Sequence, residues 1–491
     1  MASTLDYSME EFESILQKTN KIILKKYEQS AAQPGFCSSK QKDIEELFNE
    51  PLPRQGMDPL ALLDTVEQNV FANANGNFGP NMYGYVISGG NQMSSVADFL
   101  ASTINQNVAK WHMSPAMTEI EKRVVKWTAE MIGYTPEAGG VMVSGGSAAT
   151  LAGLTVARNI FFRKLHINQR GLFGIKPFTV YCSTETHNCT DKSVSLLGIG
   201  TDQLRRIRVN DDFTINLNAL ESQIRADIAS GYTPFCIIGN AGTVNTGAID
   251  DLEGLAAIAK KHDLWFHIDG AYGGFAASLP DLKPKYNGMQ LADSIGIDYH
   301  KWLYQPFEVG CTLVRDWSQL REAYFKRAEY LDNSLEGKDE RTEFNEHYFQ
   351  LSRNAKAFKV WMSLKAYGFE QMQAMMQKDI KLARHLESLI DTSDDFELKS
   401  KSDLGIVCFR YIGVNLEPNA ITEINQKLIM ALETDGRIFI TGTTLKDEFV
   451  LRACIINHRK CEASIEFLIS TIREVAEKLM NLEPVQAACC A

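Results

Sequence analysis

The chain lacks any apolar run near the roughly 18 residues that a membrane-spanning helix needs, so a bilayer-embedded protein is not expected. Positive charge is in deficit. Fifty Lys+Arg against 61 Asp+Glu leave a net charge of −11, which argues against a general nucleic-acid binder, whose affinity comes from neutralised phosphates. The ten cysteines are scattered, apart from the terminal pair Cys489–Cys490. They have neither the paired spacing of a metal site nor the density of a disulfide scaffold. The first ten residues, Met1 to Glu10, offer no basic start and no apolar centre, so no secretory leader is expected. These absences describe a reduced, cytoplasmic chain without metal. Internal repeats and low-complexity segments are missing too.

What is present is core material. The 491 residues are 45% hydrophobic and 10% aromatic, an ordinary globular profile. Ser8 with Glu11 forms a capping box, and Phe12, Ile15, Leu16, Ile23 and Tyr27 follow at helical spacing. Residues 57–90 read as loop by their Gly, Asn and Pro content. From about residue 112, helices alternate with short apolar strands, expected at Gly140–Ser144, Phe178–Cys182, Phe235–Ile238 and Leu264–Asp269. A helix follows Gly145-Gly146-Ser147 and another opens near His187. The polar 331–346 stretch reads as a surface loop. A smaller α/β unit follows, with strands at Leu404–Tyr411, Arg437–Thr441 and Phe449–Ile456 and a last helix over Ala463–Met480. The pattern predicts a mainly parallel sheet with helices on both faces. It divides the chain into an N-terminal helical segment (1–88), a large domain (89–370) and a small C-terminal domain (371–491).

The chemistry concentrates in His267-Ile-Asp-Gly-Ala-Tyr-Gly-Gly274 and Asp298-Tyr-His-Lys-Trp302. Asp269 ends an apolar strand, small residues follow it, and Lys301 comes 32 residues later. Ligands of open α/β sheets bind at the carboxyl ends of strands. Pyridoxal phosphate chemistry needs a lysine for a Schiff base and a carboxylate facing the pyridine nitrogen. Gly145-Gly146-Ser147-Ala148 joins a strand to a helix whose first amides suit a phosphate. Thr184-Glu-Thr-His187 places an imidazole where it can stack on a flat ring. Gly242-Thr243 adds a hydroxyl at another strand end.

With these segments in order, the chain resembles the group II pyridoxal-phosphate amino-acid decarboxylases, the family of the aromatic-amino-acid and glutamate decarboxylases. The likeness extends over nearly the whole chain, through Met82-Tyr-Gly-Tyr-Val86, Ser114-Pro-Ala-Met-Thr-Glu119, Ser144-Gly-Gly-Ser147, Asp269-Gly-Ala271, His300-Lys301-Trp302 and Phe449-Val-Leu-Arg452.

The resemblance implies a fold-type I homodimer, a large domain with a seven-stranded sheet, and pyridoxal 5'-phosphate as cofactor. It makes Lys301 the Schiff-base lysine, Asp269 the pyridinium partner and His187 the ring-stacking histidine. Ser147, Ala148 and His300 match phosphate-side positions, and Thr243 and Ala271 match ring contacts. Arg452 matches a residue that meets the substrate carboxylate, and Tyr85 one that lines the substrate pocket. Tyr330 stands where the family carries the tyrosine that protonates Cα. Three departures concern Tyr299, Ala148 and Tyr304-Gln-Pro-Phe-Glu308, and they bear on the substrate more than on the cofactor. The implied activity is conversion of an L-amino acid, a small-molecule substrate, to its amine and carbon dioxide. Its rivals are another reaction on the same cofactor, such as aldehyde synthesis or lysis of an amine phosphate, and a non-catalytic binding dimer.

Overall fold

A computed structural model describes residues 5–326, 341–414 and 416–489. Seven strands form the larger sheet: β1 (Gly139–Val143), β2 (Phe178–Ser183), β3 (Leu204–Ile207), β4 (Thr233–Asn240), β5 (Trp265–Gly270), β6 (Ser294–Asp298) and β7 (Gly310–Val314). Their order is β1-β7-β6-β5-β4-β2-β3. The expected mainly parallel sheet is present, and β7 alone runs against its neighbours. Alternate side chains of these strands feed two cores. Met142, Tyr181, Ile237 and Phe266 face one, and Val141, Val180, Cys182 and Ile238 face the other. A sheet covered on both faces requires such continuously apolar strands.

The smaller sheet is antiparallel, in the order β10-β11-β9-β8, from β8 (Phe396–Ser400), β9 (Ile406–Tyr411), β10 (Thr441–Leu445) and β11 (Glu448–Cys454). The helices Phe369–Asp391 and Pro418–Asp435 pack on it, and Glu462–Cys489 packs on both helices and shares their core. At the other end of the chain, the Met9–Glu28 helix starts with the expected capping box, Ser8 accepting from the Glu11 amide and Glu11 accepting from that of Ser8.

Several local expectations need correction. Residues 57–90 are not all loop. Pro59–Thr65 is helical and continues as a π-helix over Val66–Phe71. Asp58 caps it by accepting from the Ala61 amide at 2.7 Å, and Pro59 occupies the first helical position. The Gly- and Asn-rich portion begins only after it. Strand β10 starts at Thr441 rather than Arg437, because Phe439 pairs instead with the N-terminal segment. Its amide donates to the Asn81 carbonyl at 3.0 Å, and its own carbonyl accepts from the Tyr83 amide at 2.7 Å. The helix expected near His187 begins at Cys189, and the last helix runs on to Cys489. Of the 331–346 stretch, residues 331–340 lie outside the described residues. At its end Phe344 is fully buried and packs edge-on against Trp317, so this portion is anchored rather than a free surface loop.

Candidate active site

Five strands that run the same way end at one edge of the large sheet, and each contributes to one cavity of about 790 Å³. Ser144 to Ala148 follow β1, His187 follows β2, Asn240 ends β4, Asp269 is next to last in β5, and Asp298 ends β6. Among the described residues, every sequence-predicted site residue except Thr243 lines this cavity.

The floor is built around Lys301. β6 stops at Asp298, and a single helical turn, Tyr299–Trp302, carries the lysine back toward the strand end. Asp298 Oδ2 lies 3.3 Å from Lys301 Nζ and 3.4 Å from His300 Nε2. Only 3% of the Asp298 side chain is exposed, and its Oδ1 has no hydrogen-bond partner. Ser88 Oγ donates to the His300 carbonyl at 2.7 Å, tying the N-terminal segment to this turn. Burial pushes the His300 imidazole below the usual histidine range, against the pull of Asp298.

Asp269 is buried, and its Oδ1 accepts from the Ala271 amide at 3.1 Å. The strand register sets it between Asn240 of β4 and Gly296 of β6. His187 Nδ1 accepts from the Cys189 amide at 3.1 Å, which leaves the ring proton to Nε2. Burial lowers its proton affinity, the Asp269 carboxylate raises it, and the net direction is down. The ring is therefore neutral at pH 7.

Between β1 and the Gly146–Phe161 helix the backbone comes unusually close to its surroundings. A Cβ on Gly146 would meet Ala271 Cβ at 2.8 Å and Asp298 Oδ2 at 2.9 Å. Only glycine permits this approach, and it turns the first amides of a 16-residue helix toward the cavity. Ser147 is exposed there and Ala148 half-buried.

The opposite wall comes from the small sheet. Arg452 on β11 is 4% exposed and lines the cavity. Its Nε donates to the carbonyls of Val244 (3.0 Å) and Asn245 (3.1 Å), its Nη2 to that of Val244 (2.5 Å), and its Nη1 reaches the Tyr85 carbonyl only at 3.5 Å. No carboxylate pairs with it among the described residues. Tyr85 is 58% exposed, with φ 56°, and its ring lies 5.6 Å from that of Phe439. A left-handed non-glycine residue costs on the order of 1 kcal/mol, a strain typical of binding sites.

Thr243 does not line the cavity, although its neighbours Gly242 and Val244 do. It is 1% exposed, and its hydroxyl pairs with Thr246 Oγ1 at 3.0 Å and accepts from the Ala248 amide at 3.1 Å, so it braces its own loop. Tyr330 lies outside the described residues.

A lysine amine, a buried carboxylate, a neutral imidazole and a glycine cradle at a helix start fit an aldehyde-bearing aromatic phosphate. The orphaned Asp298 Oδ1 points to polar chemistry at the same spot. The family model for the pyridoxal-dependent decarboxylase conserved domain matches residues 42–412. The chain belongs to this decarboxylase family. An aromatic-L-amino-acid decarboxylase of Bacillus atrophaeus is 33% identical over 488 residues, 99% of this chain and 100% of that one. A 4-hydroxyphenylacetaldehyde synthase of Rhodiola rosea is 27% identical over 92% of this chain and 91% of its own length. In fold, the chain matches the crystal structure of Oryza sativa TDC with PLP and tryptamine, with TM-score 0.90 and 24% identity over 97% and 100% of the two chains. The decarboxylase is thus a pyridoxal-phosphate-dependent carboxy-lyase acting on amino acids.

Some cavity residues of this decarboxylase carry no assignment from sequence. Asp298, Phe307, Glu433 and Thr443 all line it. Asp298 was the findable one: it is an acid three residues before the lysine, ending the short apolar run Ser-Ile-Gly-Ile. The others come from distant segments, and nothing local marks them.

Proposed function

We propose that the enzyme decarboxylates an L-amino acid with an aromatic side chain, releasing the amine and carbon dioxide. The observation carrying this reading is the buried Arg452 guanidinium, which has no carboxylate partner among the described residues and faces the cavity that holds Lys301. A buried cation held by carbonyls alone favours an incoming anion, and the substrate carboxylate is that anion. The rings of Tyr85, Phe307 and Phe439, together with Ile429, line the same cavity. They favour a flat apolar side chain, in keeping with the aromatic substrates in the relative's name.

Bound here, pyridoxal phosphate supplies an electron sink for the bond between Cα and the carboxylate. In this reading Lys301 Nζ would hold the cofactor's carbonyl carbon. The Asp269 carboxylate keeps the proton on the pyridine nitrogen, and neutral His187 covers the ring face. Ser147, the Ala148 amide and His300 hold the phosphate, Ala271 lies against the ring, and Thr243 shapes the adjoining loop. Arg452 and Tyr85 hold the substrate, and Tyr330 returns a proton to Cα.

We further propose a cytoplasmic homodimer with the domain boundaries at 88 and 370. Leu5, Met9, Phe12, Leu24, Phe99 and Leu100, all from the first hundred residues, are exposed, and a second copy would bury them. The cysteines from Cys37 to Cys461 are free thiols, and no helix among the described residues is long and apolar enough to cross a membrane.

A panel of L-amino acids, scored for amine, carbon dioxide and oxygen uptake, tests the activity. Equimolar amine and carbon dioxide from an aromatic substrate without oxygen uptake are expected. Aldehyde with oxygen uptake would establish the synthase reading instead, and turnover confined to acidic substrates would overturn the aromatic assignment.

A further inference from the structure

The turn that carries Lys301 cannot hold its own shape. A four-residue helix lies below the length at which helical hydrogen bonding becomes self-sustaining. Two residues after it stands Tyr304, whose φ of 52° is a left-handed conformation that a bulky residue keeps only under external constraint. Part of that constraint acts on the backbone: Asn91 Nδ2 donates to the Tyr304 carbonyl at 3.0 Å, and Gln305 Nε2 donates to the Leu303 carbonyl at 2.7 Å.

The side chains are held from one point. Trp302, the residue after Lys301, and Tyr304 are 0% and 2% exposed. The indole N–H of Trp302 donates to Asp379 Oδ2 at 3.0 Å, and the Tyr304 hydroxyl donates to the same oxygen at 2.7 Å. Asp379 comes from the Phe369–Asp391 helix, 75 residues downstream, and is itself fully buried. Its other oxygen, Oδ1, makes no hydrogen bond of ordinary geometry, although the Asn457 backbone amide acts on the carboxylate, and no ion pair to it exists among the described residues. Lys460, also fully buried, attracts it through space, but its Nζ is committed to the Pro80 (2.5 Å) and Met82 (2.6 Å) carbonyls and sits 3.6 Å over the Tyr83 ring. Burial pushes the Asp379 carboxyl up to about 7.

A half-satisfied buried carboxylate is a poor stabilising device, since a well-packed apolar residue of similar size would serve the core as well or better. What a carboxylate does there that an apolar residue cannot is gather two donors onto one oxygen. Those donors flank the lysine turn, at one and three residues beyond Lys301. Trp302 in turn packs in a tilted arrangement, ring centroids 5.1 Å apart, on Tyr272, which lines the cavity three residues after Asp269.

We propose that Asp379 is a positioning residue for Lys301: by holding Trp302 and Tyr304 on one oxygen, it sets where the lysine amine stands in the cavity. The proposal rests on the reading that Lys301 holds the cofactor, and it adds a group that never touches cofactor or substrate.

The test uses the full-length enzyme with Asp379→Ala, Asp379→Asn and Tyr304→Phe. Affinity of each apoprotein for pyridoxal phosphate is titrated by absorbance, borohydride-reduced protein is mapped for the labelled lysine, and apoprotein melting is recorded. A misplacement of the reacting amine on the order of 1 Å costs as much as about 100-fold. Asp379→Ala should therefore weaken cofactor affinity about tenfold or more and lower kcat at least as much, with KM within about threefold. Asp379→Asn keeps an acceptor for both donors and should recover most of both. If Asp379→Ala melts lower but binds cofactor and turns over like wild type, the residue is only structural and the proposal falls. Equal losses in the Asn and Ala variants would also overturn it. Should the Ala variant not fold, Tyr304→Phe decides: weakened cofactor affinity supports the proposal, and unchanged affinity with unchanged kcat overturns it. A wild-type label on a lysine other than Lys301 would sink the underlying reading, whereas a Lys301 label with an indifferent Asp379 sinks this proposal alone.

Discussion

Asp298 Oδ2 stands 3.3 Å from Lys301 Nζ while the same carboxylate lies against the glycine cradle at the start of the Gly146–Phe161 helix. The site thus places a buried carboxylate beside both the amine and the amides that would receive a phosphate. Like charges repel, and with the Lys301 amine beside the carboxylate offsetting part of its field, the net penalty at an effective dielectric of about 20 is on the order of 1 kcal/mol.

Asp298→Asn should remove that repulsion while keeping the shape of the side chain. The apoprotein variant should bind pyridoxal phosphate about 3- to 10-fold more tightly than wild type, and should gain nothing with unphosphorylated pyridoxal. Parallel absorbance titrations with the two aldehydes check this. An equal gain with both, or a loss with the phosphate form alone, would show that the carboxylate does not act on the phosphate.

Asp269→Asn replaces the carboxylate with an amide that cannot hold a proton on the pyridine nitrogen. The Oδ1 contact to the Ala271 amide, 3.1 Å in this structure, survives in the amide, so folding should be retained. Removing a preorganised electrostatic partner of this kind costs on the order of 100-fold in turnover. Steady-state kinetics on cofactor-loaded variant check it, and wild-type turnover would refute the role.

Tyr330→Phe tests the proton donor, and here the argument rests on spacing along the chain, 29 residues after Lys301. Losing only the hydroxyl should leave substrate binding and carbon dioxide release largely intact. Amine yield should fall, with aldehyde, ammonia and peroxide appearing as oxygen is consumed. An oxygen electrode run alongside amine quantification reads the result; unchanged amine without oxygen uptake would assign the proton to another group.

Stability should fall on mild acidification because of His267. It is fully buried on β5, its Nδ1 lies 2.8 Å from Ser294 Oγ, and its Nε2 has no partner. Burial lowers it to about 4 from 6.5. Between those values the unfolded chain binds the proton and the native one does not, so stability rises with pH. The contribution is fully present above pH 6.5 and lost as pH falls toward 4. It amounts to about 3 kcal/mol at most. Urea midpoints of the apoprotein at pH 7 and pH 5 measure it, and the difference should shrink in His267→Gln.

The chemistry-bearing residues were legible because the cofactor dictates their types and because strand ends mark their places. Asp269 closes an apolar run that reads as a buried strand, and Lys301 follows in a motif with His300 and Trp302. The strands that escaped notice were short or interrupted: β6 is five residues with a glycine at its centre, and β3 carries two arginines among four residues. The N-terminal helix was legible from its capping box, since a cap is a local interaction among four residues.

The sequence by itself determined the alternation of helix and strand, hence the α/β fold, and the identities of the amine, carboxylate, imidazole and glycine cradle. Each of these depends on residues close along the chain. Only the tertiary structure decided which distant groups reach them. Thr243 turns its hydroxyl into its own loop, and Phe439 leaves β10 to pair with Asn81 and Tyr83. Arg452 is gripped by carbonyls 207 and 208 residues away, and Asp379 gathers Trp302 and Tyr304 onto one oxygen. Such contacts follow from how two sheets and their helices pack. No local spacing encodes them, because the physical condition they satisfy, partnering a polar atom once water has been excluded, arises only after the chain has closed around it.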